Sequence, residues 1–188
     1  ASGAAFNIEI ITYDILNSFS QACTTFVGQN FGAGKVERCK KVLGLCLAEG
    51  LAALAAAIAL ILPFGKPLLS IFNNDPQVVD VGYIRLVTLM TAHMFSMCYE
   101  VLSGYLRGFG ISLPPAILTM LGVCGIRLSW IYWVFPQRPT FQTIMAVFPI
   151  SLAATALLML IAVLCCRPAR RFSGTPEDKG SGDLADES

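Results

Sequence analysis

Val42-Leu-Gly-Leu-Cys-Leu-Ala-Glu49-Gly-Leu-Ala-Ala-Leu-Ala-Ala-Ala-Ile-Ala-Leu-Ile-Leu-Pro63-Phe64 is one apolar run interrupted by a single charge, Glu49. A bilayer core about 30 Å thick is crossed by about 20 mostly apolar helical residues, so the run reads as a membrane span. Outward from it, residues 113–135 and 144–166 repeat the pattern with at most one charge each, while 82–106 and 5–27 have the same length but more polar side chains. The expected fold class is therefore an all-α membrane protein. It is a bundle of about five transmembrane helices over residues 1–168, at roughly 5–27, 42–64, 82–106, 113–135 and 144–166.

Composition agrees. The chain is 55% hydrophobic and 13% charged, against about a quarter charged in soluble domains, and its mean hydropathy is +0.67. A soluble fold of this size could not hide so much apolar surface. The net charge of +1 and the lack of a basic stripe interleaved with aromatics exclude a nucleic-acid partner and leave the lipid bilayer as the expected surroundings. Residue 1 is alanine, and the segment after it lacks the basic start and uncharged apolar core of a signal peptide, so the chain reads as a fragment whose beginning lies elsewhere.

The breaks between spans carry turn chemistry: the Gly-rich basic stretch 28–41, Asn73-Asn74-Asp75-Pro76 within 65–80, the Gly and Pro hairpin 107–114, and 136–140. Residues 169–188 are expected to be a cytoplasmic disordered tail, since from Ser173 to Ser188 the chain is mostly Gly, Ser, Asp and Glu with almost no apolar content. Sorting basic residues by alternating sides places Lys35, Arg38, Lys40, Lys41, Arg107, Arg167, Arg170, Arg171 and Lys179 on one side and Lys66 and Arg138 on the other. The positive-inside rule then predicts a cytoplasmic carboxyl terminus and an outside amino end.

Seven cysteines without a CxxC pair sit mostly in apolar runs and predict neither a structural metal nor a disulfide framework. With His93 the single histidine, a two-histidine zinc motif is impossible, and no GxSxG is present. An enzyme is not expected, and no cofactor. Gly28-Gln-Asn-Phe-Gly-Ala-Gly34-Lys35 superficially suggests a phosphate loop. It fails on the wrong glycine spacing and on Val36 where Ser or Thr would hold magnesium. The simpler reading is a tight turn whose glycines permit positive φ.

Candidate functional residues are the polar groups inside spans. Asn7, Asp14, Asn17, Gln21, Thr24 and Gly28 recur at helical spacing on one face of the first span, either as interhelical hydrogen-bonding glue or as the wall of a water-filled cavity. Glu9, Glu49, Arg85, His93, Glu100 and Arg127 are further ionisable groups in or near spans. His93 and Glu100, seven apart, share a face and suggest a protonatable pair; alternatively Glu100 and Arg127 neutralise each other across helices. Arg85 is expected to snorkel to the interface. The pathway candidates are Asp14, Asn17, Gln21, His93, Glu100 and Arg127, with Met94, Phe95, Met97 and Tyr99 supplying an adaptable apolar wall. Pro149 is expected to kink the last span.

Gln21-Ala-Cys-Thr-Thr-Phe-Val-Gly-Gln-Asn-Phe-Gly-Ala-Gly-Lys35, followed by Glu37-Arg38 and Lys40-Lys41, resembles the second-helix-to-loop signature found in each half of the MATE (multidrug and toxic compound extrusion) transporters. Leu102-Ser-Gly-Tyr-Leu-Arg-Gly-Phe-Gly-Ile-Ser-Leu-Pro114 is similar to the family's Leu-Arg-Gly-x-Gly turn and the proline opening its next helix, and Phe72 with Asp75-Pro76 and Val79 fits the pattern before the fourth helix of each half. The resemblance implies a partial six-helix lobe, helices eight to twelve, of a twelve-helix antiporter, with the amino-terminal half of the same transporter as the missing partner. It also implies a structural loop at Gly28, Gln29, Asn30, Gly32, Gly34, Arg107 and Gly108. The implied function is export of cationic or amphipathic small molecules across the plasma membrane against inward flow of sodium or protons, with sodium the one metal to consider. A lipid-linked oligosaccharide flippase of related architecture is the alternative, and it calls for several cavity-facing arginines.

Overall fold

The computed structural model describes residues 2–72, 75–137, 141–166 and 168. Their regular structure is helical throughout: α1 (Ser2–Gly32), α2 (Val36–Phe72), α3 (Pro76–Gly108), α4 (Leu113–Thr119), a π-helical segment (Met120–Gly125), α5 (Ile126–Trp133), a 3-10 turn (Phe135–Gln137) and α6 (Phe141–Cys166). Among the described residues four stretches are long and apolar enough to cross a membrane, at Val36–Ile71, Pro76–Gly108, Leu113–Gln137 and Thr143–Cys166. Counted with α1 as the first, the fourth span, Leu113–Gln137, is α4, the π segment and α5 end to end. The first predicted span, α1, has the length at 31 residues, but Glu9, Asp14 and its amides dilute its hydropathy. Its place in the bundle comes from packing.

The helices outrun the apolar windows read from the sequence, because in lipid a backbone polar group is satisfied only inside a helix or barrel, so winding continues until water is reached. The stretch 28–41, expected as a loop, is helical except at 33–35, so Gly28, Gln29, Asn30 and Gly32 belong to α1, and Arg107 and Gly108 belong to α3. The expected break at residue 65 is absent as well; α2 runs through Pro63 and Pro67 to Phe72. Likewise α6 continues across Pro149. The tail at 169–188, Arg167, Arg138 and Asn73-Asn74 lie outside the described residues.

Two matching turns stop α1 and α3. Lys35 N–H donates to the Asn30 carbonyl and Gly34 N–H to Phe31, while Ile111 N–H donates to Leu106 and Gly110 N–H to Arg107. Each is a Schellman stop, which requires a left-handed residue, and Gly34 (φ 70) and Gly110 (φ 79) supply it. Asp75 accepts the Gln77 N–H at 3.0 Å and caps α3, with Pro76 behind it.

Residue pairing gives the topology. Glu9 meets Arg85 and Thr12 meets Met90, while Ser20 and Val27 meet Gly104 and Gly108, so α1 and α3 run parallel at a near-constant offset. Antiparallel to both lies α2, with Gly50 on Met97 and Lys66 bound to Asp80 at 2.8 Å. On the other side of α3, α6 packs antiparallel to the fourth span, joining Gly122 to Thr155 and Arg127 to Ser151. One apolar core, around Leu16, Cys23, Leu54, Met97 and Tyr105, binds α1, α2 and α3; a second, around Ala92, Leu102, Leu106, Leu152 and Met159, binds α3 to α6. The Lys66–Asp80 pair is more than half exposed on both sides, so Lys66→Ala should leave thermal stability unchanged within error, as measured by melting in detergent.

Candidate functional site

A close contact between α1 and α3 positions the site. Gly104 and Gly108 form a Gly-x-x-x-Gly pair on α3, the spacing that lets helix backbones approach in membranes. A Cβ at Gly104 would be driven onto the Ser20 carbonyl oxygen, and one at Gly108 would lie 2.6 Å from Val27 Cβ. The Thr24 hydroxyl shares its proton between the Ser20 carbonyl of its own helix, at 2.9 Å, and the Gly104 carbonyl across the contact, at 3.1 Å. The Phe31 and Phe109 rings, 5.1 Å apart, close the same end.

This contact places Ser20 at a junction. Its hydroxyl donates to the Glu100 carbonyl at 2.7 Å and accepts from Arg107 Nη2 at 2.9 Å. Arg107 and Glu100, two turns apart on one face of α3, stand 3.9 Å apart as an ion pair. Both line a cavity of about 480 Å³ bounded by Tyr13 of α1, by Tyr99 and Ser103 of α3, by Pro115, Ala116 and Thr119 of α4, and by Met120, Val123 and Cys124 of the π segment. The carboxylate side chain is 15% exposed and the guanidinium side chain 41%, so the acid lies deep and the base reaches out. The contents are one acid, one base, two phenols, and an apolar wall with a methionine. Such a lining suits an amphipathic guest by cation attraction, ring stacking and soft packing.

The π segment shapes that wall. A π turn adds a residue to the helical repeat and re-aims the side chains around it. Gly122 presses on Thr155 of α6, which fixes the segment's back, while Met120, Val123 and Cys124 face the cavity.

A second intramembrane pair lies nearer the other end of α1. Glu9 and Arg85 stand 3.3 Å apart, mostly buried, beside a contact from the Thr12 hydroxyl to Met90 Sδ. Arg85 therefore does not simply snorkel to the interface; it ties α3 to α1. Glu9→Ala should strand the guanidinium and lower stability by about 2 kcal/mol, whereas Glu9→Gln combined with Arg85→Gln should lower it less, both read as melting shifts in detergent.

The pathway candidates do not gather in one place. Glu100 lines the cavity. It pairs with Arg107, a residue expected in a loop, and not with His93 or Arg127. His93 is partly buried elsewhere on α3. Arg127 donates from Nε to Ser151 Oγ at 3.2 Å and lies over the Phe148 ring at 4.6 Å. Of the first-span stripe, Asp14, Asn17 and Gln21 are exposed on the side of α1 away from its neighbours, Gln21 reaching Asn17 at 3.5 Å, while Thr24 and Gly28 pack on α3. Met97 is fully buried against Gly50 and is core, not cavity wall. Among the described residues no three His, Cys, Asp or Glu side chains cluster to hold a metal ion.

Comparison with known proteins agrees with this architecture. The chain is 25% identical over 162 residues to the probable multidrug resistance protein NorM of Chromobacterium violaceum, which covers 83% of this chain and 35% of that protein. It is 30% identical over 125 residues to a NorM of Thermotoga maritima, covering 65% and 26% respectively. A FAD transporter of Shewanella oneidensis is 32% identical over 80 residues, 43% of this chain and 18% of that one. The chain thus spans about a third or less of the length of these relatives. The MatE family profile matches residues 1–133, more than two thirds of the chain, through α1, α2, α3 and the fourth span: this helical membrane protein belongs to the MatE family.

Proposed function

We propose that this bundle is one lobe of a secondary antiporter that exports cationic and amphipathic small molecules in exchange for sodium or protons. The observation that carries the reading is the cavity itself, where a deep intramembrane carboxylate, Glu100, stands with two tyrosines and a soft apolar wall. Charged side chains at this depth are costly unless they face protein or water, and they mark ion and substrate paths. Relatives named as multidrug resistance proteins support the cargo class. The second wall of the passage would come from another lobe of the transporter, since paired lobes rocking about a central site are a general transporter device.

On this reading the Gly34 and Gly110 turns, at the same end as the basic run Lys35 to Lys41, face the cytoplasm of a cell whose plasma membrane holds the protein. The flippase alternative calls for several arginines in the passage. Arg107 is the arginine in the described lining, and Glu100 already neutralises it. The test is reconstitution of the full-length protein in liposomes under an imposed sodium or proton gradient. A fluorescent cationic dye should move against the ion flow, and dye movement indifferent to both gradients would sink the antiport reading.

A further inference from the structure

Arg127 is a charge in the middle of a membrane span with no carboxylate partner among the described residues. In the span Leu113–Gln137 it lies about 21 Å from one end and about 15 Å from the other at about 1.5 Å per residue, near the middle of a helix that crosses a bilayer core about 30 Å thick. The side chain is nevertheless held in a defined pose. Its Nε–H is spent on Ser151 Oγ and one face of the guanidinium is covered by the Phe148 ring. No acceptor among the described residues takes the four remaining N–H groups, and these are not sealed from the surface. A planar fork with its back fixed and its front edge open is the geometry that receives an oxyanion with two parallel hydrogen bonds.

Arg127 stands one helical turn beyond Cys124, which lines the cavity together with Glu100, so the fork continues the same side of the fourth span. Measured from the turn that joins α3 to the fourth span, Glu100 is about 12 Å deep and Arg127 about 21 Å, so the two opposite charges are offset by about 9 Å along the passage. That offset matches a drug-sized molecule with a charge at each end.

We propose that Arg127 is the anion-accepting pole of the passage and binds the carboxylate of an amphipathic substrate whose cationic or aromatic part lies in the cavity beside Glu100. The proposal rests on the export reading above and narrows its cargo. It also gives this half-buried arginine the counter-ion that the described residues of the protein do not provide.

The test uses the full-length transporter in liposomes with two probes that differ at one group, a xanthene dye bearing a free carboxylate and its methyl ester. The quantity read is the ratio of their gradient-driven export rates, with reconstituted protein quantified in each preparation. Arg127→Gln should lower the acid-to-ester ratio about tenfold, and Arg127→Lys, a point charge without the fork, should recover part of it. If Arg127→Gln fails to reconstitute, Ser151→Ala, which removes the acceptor of Nε and the Ser151 bond to the Phe148 carbonyl but keeps the guanidinium, should lower the same ratio about threefold. A ratio unmoved by these variants, including an equal loss of both dyes, overturns the proposal and leaves the export reading standing. Wild-type protein that exports neither dye overturns both.

Discussion

Gly104→Ala is expected to lower the stability of the membrane-embedded protein by about 3 kcal/mol, a large part of the 5–15 kcal/mol that holds a typical fold together. The added methyl has nowhere to go. Its nearest neighbour is the Ser20 carbonyl oxygen, with Ser20 Oγ at 3.0 Å and Thr24 Oγ1 at 3.1 Å, so the clash is with helix backbone and not with the tip of a flexible side chain. Relief requires α1 to move off α3, which stretches the bond from Thr24 to Gly104 O and displaces Ser20 from Arg107 and Glu100. Gly108→Ala, facing Val27 Cβ and Cγ1 at 2.6 and 2.7 Å, should act in the same direction. Gly44→Ala is the control: it sits in α2 with nothing within 4 Å of the new atom, and removing a helical glycine there should be neutral or slightly stabilising. Melting of the purified full-length proteins in detergent separates the cases. If Gly104→Ala melts with Gly44→Ala, the close helix contact does not exist as described.

That contact also shows where the sequence was legible and where it was not. The place of the apolar helices follows from solvation: runs such as 42–64 have no other home than lipid. Asp75-Pro76, read as part of a break, instead caps and opens α3, because an Asx cap and a proline both favour a first turn. Helix ends were harder to read because Gly28, Gly32 and Pro67 suggest breaks in water, whereas lipid removes the competitor for backbone hydrogen bonds and the helix winds on. Gly104-x-x-x-Gly108 is present in the sequence as a packing signal, but the pair is split between the span 82–106 and the hairpin 107–114, and Gly108 reads more readily as a turn residue because it lies beside Gly110. The partner of Glu100 could not be read at all. Periodicity puts His93, Glu100 and Arg107 on one face of α3, yet which basic group meets the acid depends on Ser20, a residue of another helix brought there by the glycine contact. The π segment left no periodic signature, since one extra residue in a mostly apolar span changes the phase of a pattern too weak to follow.

Glu100→Gln in the full-length transporter should reduce gradient-driven export on the order of 100-fold while the protein still inserts and purifies. Glutamine keeps the shape of the side chain, and the Ser20 bond to the residue 100 carbonyl is a backbone contact that survives the change. What disappears is the charge. On the proposed mechanism the carboxylate alternates between Arg107 and an entering sodium ion, proton or cationic guest. The 3.9 Å separation from Arg107 fits that exchange, being an attraction without a short, locking hydrogen bond. An amide neither takes up a proton nor attracts a cation, and losing a charge-assisted interaction of about 3 kcal/mol corresponds to about two orders of magnitude. Arg107→Gln should behave differently: it leaves Glu100 uncompensated in a mostly buried position, so its first effect should be a lower melting temperature. Export rates under matched gradients, normalised to reconstituted protein, decide the matter. Export by Glu100→Gln at the wild-type rate would reduce Glu100 to the counter-ion of Arg107, and the coupling site would have to be sought at another intramembrane acid, with Glu9 and Asp14 the next to test.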